Sequence, residues 1–306
     1  MLKNASWLFD IDYFLKVLTD GTTERDIDLI NTAICSQKLS DFQNLLPPPI
    51  GIQQIERTIR GTGLTAGLGN KHEVSFERAV KLGFTMDRYS GLPVIRSHLF
   101  KGFLRSYFPS KYKGRSKSNY EVRKNYIAHL VKTYGGPQLP ADMVGRLEYN
   151  IFGKSNSEIS KDQRGYKADK SPMALKDAFY DVYPIRSSYH SRLKDKDNYL
   201  NHGQFIGTDT ILYEGKMNTI KDEDNPQVHK GQRHNTMPNP LKFLKLRAGV
   251  DLRFDMTLHD VNLKHGSENC IITKETKLAL ITHLIDNHPL GAKKSYNFGR
   301  LKKVPK

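Results

Sequence analysis

Apolar and polar residues alternate most clearly in VDLRFDMTL, residues 250–258. An alternation with a period of two residues predicts a β-strand with one buried face. The run KFLKL ends shortly before Ala248 and Gly249, and a pair of this kind can turn a hairpin. We therefore expect the two runs to pair as neighbouring strands.

Two segments have the spacing of amphipathic helices, and each is followed by a proline. SHLFKGFLRSYF predicts a helix with Ser97 as its N-cap and Pro109 beyond its end. KETKLALITHLIDNH predicts a second helix, with Thr273 as its N-cap and Pro289 beyond its end. The apolar face of this second helix comprises Leu278, Ile281, Leu284 and Ile285.

The remaining patterns are weaker but fall in a regular order. Further strands are predicted in GIQQIERTI, AVKLGFTMD, DAFYDVYPI and SYNFGRL, and further helices near residues 24–46, 119–134 and 141–151. Without insertions, the order in the main body is strand, helix, strand, strand, helix, strand. This is the order of the ferredoxin-like split βαβ fold, also found in RNA-recognition modules, which places helices on one face of an antiparallel sheet and leaves the other face open.

We therefore predict an α+β chain with a ferredoxin-like (RRM-like) core, an antiparallel sheet and long insertions. Residues 1–50 are predicted to form a helical N-terminal extension that packs on the main body or on a partner, and the prolines at 47–49 end it. Residues 51–306 form the core domain. Within it, residues 186–240 are rich in His, Asn, Gly and Asp, and a polar segment of this length is typical of a functional arm.

Charge adds a preference for polyanionic partners. The formal net charge is +16, although residues 1–50 hold seven acidic and four basic residues. Between Arg96 and Lys132 there are ten Lys or Arg residues and one acidic residue, Glu121. A field of this sign attracts polyanions. We favour nucleic acid as the partner over a membrane surface or a merely solvated basic face. A membrane surface would be favoured by a strongly amphipathic basic helix with a broad Trp and Leu face, and the sequence has no such helix.

Composition also argues against several other classes of protein. No apolar run approaches the roughly 18 residues of a membrane-spanning helix, and MLKNASWLFDIDYF lacks the residue order of a secretion signal. We expect no membrane partner and a cytoplasmic location. Cys35 and Cys270 are far apart, and no CxxC, HxH or HExxH spacing is present. We therefore expect no disulfide framework, no metal and no cofactor.

Residues suited to anion binding concentrate on the first predicted helix of the core. Ser97, Lys101 and Arg105 recur at intervals of four residues, beside His98 and Gly102. A phosphate backbone along this stripe would meet the helix N-terminus and then two cations. The competing interpretation is an ordinary amphipathic helix with a solvated basic face.

A second candidate is PLGAKKSYNFGR, residues 289–300, which we call the closing loop. Gly291 and Gly299 permit backbone angles that are closed to other residues, and the residues between them offer charge, a hydroxyl group and a ring that can stack on a base. Composition alone also fits an ordinary surface turn.

Five motifs, in order, resemble those of the RAMP superfamily of CRISPR proteins. A glycine-rich turn with His72 and Glu73 precedes GLPVIRS and the helix motif K-G-x-x-R. AFYDVYP resembles the superfamily's strand with an Asp and a following Pro, NPLKFLKLRAGVDLRFDM its P-x-x-F-L strand pair, and LGAKKSYNFGR its C-terminal glycine-rich loop. Pro289 and Asn297 stand where the superfamily has glycine.

Within this superfamily, residues 55–301 resemble subunit six of the type III-B Cmr effector complex. This resemblance implies a function. Such a protein is a non-catalytic, RNA-binding subunit of an antiviral ribonucleoprotein, which holds the guide (CRISPR) RNA toward its 3′ end and caps the filament of backbone subunits. The implied partners in this hetero-oligomer are guide RNA, target RNA, the backbone and small subunits and a neighbouring capping subunit. The RNA-binding candidates are Lys71, His72, Arg96, Ser97, His98, Lys101, Arg105, Gly291, Lys293, Lys294, Ser295, Tyr296 and Arg300.

The alternative function is a metal-independent endoribonuclease that processes CRISPR repeat RNA. Members of the superfamily that process guide RNA use a histidine as general acid or base, and His72 is the candidate for the general base. His72 and Glu73 need not cooperate, because adjacent residues in a strand point to opposite faces. The absence of Asp from GTGLTAGLGNKH agrees with a subunit that does not cut its target.

Overall fold

The computed structural model describes residues 5–12, 15–16, 21–66, 80–112, 116–140, 143–153, 177–187, 203–213, 239–265 and 268–304. The α-helices in these residues are α1 (Ala5–Trp7), α2 (Glu24–Ser36), α3 (Ser97–Arg105), α4 (Lys117–Thr133), α5 (Met143–Phe152) and α6 (Lys274–Asn287). A π-helical turn lies at Leu8–Asp12, and short 3-10 helices lie at Leu39–Leu45, Pro109–Tyr112 and Lys294–Tyr296.

Twelve strands lie in the same described residues. They are β1 (Gln53–Ile59), β2 (Lys81–Leu82), β3 (Thr85–Met86), β4 (Pro93–Val94), β5 (Ala178–Phe179), β6 (Tyr183–Ser187), β7 (Ile206–Tyr213), β8 (Asn239–Leu246), β9 (Val250–Thr257), β10 (Val261–His265), β11 (Glu268–Ile272) and β12 (Leu301–Lys303). The predicted α+β class, with antiparallel sheet, is therefore confirmed.

The main sheet is antiparallel throughout and has the order β12, β1, β9, β5, with β6 also pairing with β9. Ile55 of β1 lies opposite Phe254 of β9, and Ile59 lies opposite Leu301 of β12. Helix α3 packs on the apolar side of the sheet, where the ring centroids of Phe100 and Phe254 are 5.0 Å apart. Helix α3 and the central strands thus form one part of the core.

The predicted hairpin between the KFLKL run and the following strand is wrong. β8 pairs with β2 and β7 in a second, three-stranded sheet, whereas both edges of β9 are already paired in the main sheet. The intervening turn passes from one sheet to the other: the Arg247 amide donates to the Phe205 carbonyl, and the Gly249 amide to the Ile59 carbonyl, each at 2.9 Å. A strand with two paired edges offers no place for a hairpin partner.

The expectation of an open sheet face is also wrong along β9, whose polar residues are as buried as its apolar ones. Asp251 accepts hydrogen bonds from Thr58 Oγ1 at 2.6 Å and from Arg186 Nε at 2.7 Å. Arg253 Nη2 donates to the Pro47 carbonyl at 2.8 Å. The polar side chains of β9 therefore make their hydrogen bonds inside the protein, and the N-terminal segment covers part of this face.

The predicted N-terminal extension packs against strand β7. The Leu39 amide donates to the Gly203 carbonyl at 3.0 Å, and the rings of Phe42 and Phe205 meet edge to face with 5.8 Å between centroids. Ile27 and Ile34 of α2 are fully buried in the same core. Of the predicted arm, residues 186–187, 203–213 and 239–240 are described, and they contribute to strands β6, β7 and β8; the rest of the arm lies outside the described residues.

The cysteines form no disulfide: Cys35 is half-buried, Cys270 is buried, and both are free thiols. Burial raises the pKa of the Cys35 thiol, although the Arg247 guanidinium acts in the opposite direction. In the part of the chain that the structure describes, no helix is long and apolar enough to cross a membrane.

Candidate nucleic-acid interface

The closing loop has a firmly held base. Gly291 and Gly299 take the positive φ angles of 86° and 75° that the sequence predicts for them. A Cβ atom on Gly299 would lie 1.8 Å from the Leu290 carbonyl oxygen, so no other residue fits there. The Ala292 amide donates to the Thr65 carbonyl and the Gly299 amide to the Gly63 carbonyl, both at 2.8 Å. These bonds tie the closing loop to the glycine-rich segment after β1.

The tip of the closing loop points its polar side chains outward. Lys294, Ser295, Tyr296 and Asn297 are exposed, and Tyr296 has 64% of its surface accessible to solvent. Asn297 has a φ of 64°, a left-handed conformation that Asn tolerates better than most non-glycine residues. Its position, where the superfamily has glycine, is therefore compatible with the same turn. An exposed tyrosine beside a lysine forms a platform on which a base can stack.

The two adjacent lysines of the closing loop lie against different parts of the fold. Lys293 Nζ is 3.7 Å from the centroid of the Phe243 ring in β8, and burial lowers the pKa of this ammonium group. Lys294 Nζ is 5.7 Å from the centroid of the Phe103 ring in α3. Lys294 is the lysine that brings the closing loop to the first helix of the core.

The predicted stripe on α3 faces a different flank of that helix. Arg105 Nε donates to Glu148 Oε1 at 3.0 Å, and only 2% of the Glu148 side chain is exposed. The Ser110 amide also donates to this carboxylate, at 3.1 Å. Lys101 and Phe103 are two residues apart, so they lie about 200° apart around the helix. The stripe therefore lies toward α5, and the closing loop lies on the opposite flank.

The start of α3 already holds an anionic side chain. The helix begins at Ser97, with Arg96 at the N-cap position instead of the predicted Ser97. Asp181 Oδ1 accepts a hydrogen bond from the Ser97 amide at 2.6 Å, and Asp181 Oδ2 accepts one from Arg96 Nη1 at 2.9 Å. This carboxylate takes the place that a phosphate group would take in the predicted site.

The exposed ridge of α3 between these flanks carries His98 and Gly102. Among the described residues, no atom outside the helix's own backbone and the two adjacent residues lies within 4 Å of the position that a Cβ would occupy on Gly102, so the backbone is open to a close approach there. A polynucleotide strand that crosses this ridge from the closing loop would meet Lys294, then Gly102 and His98, and then Lys101. The geometry thus favours a strand that crosses α3 over one that follows its axis.

A cluster of aromatic and histidine rings lies where the closing loop begins. The rings of Tyr107 and His288 stack with 4.0 Å between centroids, and Arg123 Cζ lies 5.3 Å from the Tyr107 ring centroid. Tyr126 Oη and His288 Nε2 are 3.0 Å apart. Burial is the main cause that lowers the pKa of His288, and the positive charges of Arg123 and Lys294 add to it. A mostly neutral His288 can therefore accept the tyrosine hydroxyl proton in a hydrogen bond.

Sequence reasoning missed this cluster, since Arg123 lies in a helix with weak amphipathic periodicity and His288 only ends another helix. Lys71 and His72 lie outside the described residues, as does Glu73. Arg300 is exposed at the foot of the closing loop. Within the described ranges, no three His, Cys, Asp or Glu side chains come together in a group that could hold a metal ion.

No protein-family model matches the chain, and no curated protein matches it either. Among solved structures, one chain of the type III-B Cmr-beta bound to cognate target RNA is similar, with a TM-score of 0.41 and 15% identity, over 96% of this chain and 80% of that one. Cmr6 from Pyrococcus furiosus is similar with a TM-score of 0.37 and 17% identity, over 83% of this chain and 98% of that one. Both carry the Cmr name of the effector complexes that the sequence motifs resemble.

Proposed function

We propose that this chain is a non-catalytic, RNA-binding subunit of a type III-B CRISPR (Cmr) effector complex. In this proposal it binds the guide RNA toward its 3′ end and caps the filament of backbone subunits, next to a target RNA, in the cytoplasm. The small subunits and a neighbouring capping subunit are its further partners. The five ordered RAMP motifs support this assignment.

A ferredoxin-like core is part of the proposal. Its support is the order of the main sheet, in which β12 and β9 both flank β1, and β5 and β6 follow β9. Along the chain, helix α3 lies between β1 and the β5–β6 segment, and α6 lies between β9 and β12. This connectivity is the one expected of a split βαβ unit.

The observation that carries RNA binding is the closing loop. Its base is fixed by glycine turns and backbone hydrogen bonds, while its tip exposes Lys294 and Tyr296 beside the open ridge of α3. Proteins that bind single-stranded nucleic acid without sequence preference combine cations with aromatic rings on which bases stack. The +16 charge of the chain favours the same ligand. Guide sequence would then be read by base pairing, with the protein reading the backbone.

Purification of the tagged full-length chain from its native cells tests this function. We expect a short RNA of defined length and several other proteins to co-purify with it, and we expect less RNA with a Lys294→Ala, Tyr296→Ala variant. Recovery of the chain without RNA and without partner proteins would refute the proposal.

The non-catalytic part of the proposal needs its own experiment. The purified chain is incubated with end-labelled CRISPR repeat RNA in EDTA, and we expect the RNA to stay intact. Clean cleavage that disappears in a His72→Ala variant would establish the endoribonuclease instead, with His72 as its general base.

A further inference from the structure

A cavity of about 440 Å³ lies at the foot of the closing loop, between the end of α6 and the start of β12. Its lining includes Arg60, Arg300 and Lys302, together with Asp286, His288 and Pro289. Its volume is within the range of small-molecule binding sites. Three cationic side chains around one cavity distinguish it from the open platform at the tip of the closing loop.

Two of the cations face each other across the sheet. Ile59 lies opposite Leu301, and the Arg60 amide donates to the Arg300 carbonyl at 2.8 Å, so Arg60 and Arg300 are direct cross-strand neighbours. Like charges in directly opposed positions destabilise a sheet. Both side chains are exposed, so solvent and salt reduce this repulsion to a small cost, and an anion bound between or beside them removes it.

No protein carboxylate among the described residues neutralises these cations. Within that part of the chain, the side chains of Arg60, Arg300 and Lys302 make no hydrogen bond and no ion pair. The carboxylate that lines the cavity, Asp286, is held by Arg57, whose Nη2 donates to Asp286 Oδ2 at 3.0 Å. The cavity therefore keeps a surplus of positive charge.

We propose that this cavity binds a phosphomonoester, the group that a nucleoside monophosphate or a phosphorylated RNA end carries. Such a group has a charge between about −1.5 and −2 at neutral pH and three acceptor oxygens. Two guanidinium groups and one ammonium group carry enough positive charge to neutralise it, and each can donate to an oxygen. One guanidinium group can also donate to two phosphate oxygens at once. A phosphodiester within a strand offers one charge and only two such oxygens, so it suits the site less well.

The link to RNA rests on the proposed function. The cavity and the platform at Lys294 and Tyr296 belong to the same closing loop, with Arg300 at its foot. A strand bound at the platform could thus place its terminal nucleotide in the cavity. The cavity would then recognise the end of the RNA, while the platform and the α3 ridge hold the strand leading to it.

Fluorescence anisotropy with the full-length chain tests this inference. Three internally labelled RNAs of one sequence are compared, with hydroxyl groups at both ends, with a 5′-phosphate, or with a 3′-phosphate. We expect a phosphate at one of the two ends to lower the Kd about tenfold. Arg60→Gln and Arg300→Gln should each remove that advantage, whereas Lys303→Gln, an exposed charge on the same strand outside the cavity, should preserve it.

Thermal unfolding separates a binding role from a structural one. Arg60→Gln relieves the repulsion between opposed arginines, so its Tm should equal or exceed that of the wild type. A lower Tm together with unchanged RNA binding would overturn the inference. Equal Kd values for the three RNAs would overturn it as well, and leave the proposed function intact if the hydroxyl-ended RNA still binds.

Isothermal titration with adenosine monophosphate and with adenosine tests the cavity without RNA. Binding of the monophosphate alone, lost in Arg300→Gln, supports the phosphomonoester site even if RNA binding fails altogether. Equal heats for the nucleotide and the nucleoside would contradict it. A larger phosphate advantage with RNA ends than with the monophosphate identifies the RNA terminus as the source of the ligand.

Discussion

Asp181 caps helix α3, because its Oδ1 atom accepts a hydrogen bond from the Ser97 amide at 2.6 Å. The same carboxylate pairs with Arg96 at 2.9 Å. The N-terminus of a helix attracts one anion, and here the protein supplies it from the segment between β5 and β6. RNA contacts are therefore expected farther along the helix and at the closing loop.

Asp181→Ala should destabilise the protein by about 1 kcal/mol, the typical cost of a lost helix cap. Asp181→Asn keeps an acceptor for the Ser97 amide and should cost less than Asp181→Ala. Urea unfolding of the two variants measures the difference. If α3 begins without help from this side chain, both variants will have the stability of the wild type.

The two adjacent lysines of the closing loop should differ in their effect on RNA binding. Lys294→Ala should weaken binding of single-stranded RNA and reduce the log–log salt slope by about 0.7, the loss of one phosphate contact. Lys293→Ala should leave the affinity within about twofold of wild type, because this ammonium group lies on the Phe243 ring. Filter binding at several salt concentrations gives both quantities.

A matched control for the lysine variants is Lys274→Ala, which removes an exposed charge at the start of α6, the end of that helix far from the closing loop. Its salt slope should match that of the wild type. Equal losses in the Lys293, Lys294 and Lys274 variants would show that RNA responds only to net charge and not to the closing loop.

Arg105 is expected to act mainly on stability. Removing its guanidinium group leaves the buried Glu148 carboxylate with the Ser110 amide and hydroxyl as its donors among the described residues. Arg105→Ala should therefore cost about 2 kcal/mol, as for other hydrogen bonds to charged groups. A double-mutant cycle with Glu148→Gln should give a coupling energy of about 1 kcal/mol or more. Additive effects in urea unfolding, combined with a large loss of RNA affinity, would return Arg105 to the predicted RNA-binding stripe.

Local patterns predicted the elements of the fold better than their pairing. The alternation from Val250 to Leu258 identified β9, and Thr273 was rightly expected to cap α6, where it accepts from the Thr276 amide at 3.2 Å. The hairpin before β9 was wrong because pairing depends on which edges remain open after the whole sheet assembles. That information is distributed over β1, β5 and β6, far away in the chain.

Buried polar residues were the hardest to predict. Lys277 is fully buried in α6, where its ammonium group donates to Asp177 Oδ2 at 2.8 Å and to Asn150 Oδ1 at 2.6 Å. A helical pattern predicts that a lysine lies on the surface. Only the tertiary contacts with Asp177 and Asn150, 100 and 127 positions away, bury it. The neighbouring Leu278, predicted in the core face, is only half-buried.

The candidate interface was predictable in composition but not in geometry. The positive φ angles of Gly291 and Gly299 follow from residue type, and so does exposure of the residues between them. The direction of each side chain does not. Lys293 and Lys294 diverge because a left-handed backbone turn at Lys293, with a φ of 58°, reorients one side chain against the next.

His283 and His288 should make the protein less stable to unfolding in mildly acidic solution. Burial is the largest cause that lowers the pKa of both His283 and His288 in the folded protein, below the unfolded value of about 6.5. As the pH falls through 6.5, the unfolded chain therefore binds more protons than the folded one, and the free energy of unfolding decreases until the pH passes the lowered folded pKa. Tyr134 Oη, 2.8 Å from His283 Nδ1, and Tyr126 Oη, 3.0 Å from His288 Nε2, are the contacts that protonation would disturb.

Urea unfolding at pH 7.5, 6.5, 5.5 and 5.0 measures this dependence in the wild type and in a His283→Gln, His288→Gln variant. The variant should be less stable at pH 7.5, because it loses the stacking on Tyr107, but its stability should change less between pH 6.5 and 5.0. The comparison uses the slope with pH, so a uniform loss of stability does not affect it. An identical slope in both proteins would place the acid-sensitive groups elsewhere, and a stability that rises on acidification would show that the histidines gain protons on folding.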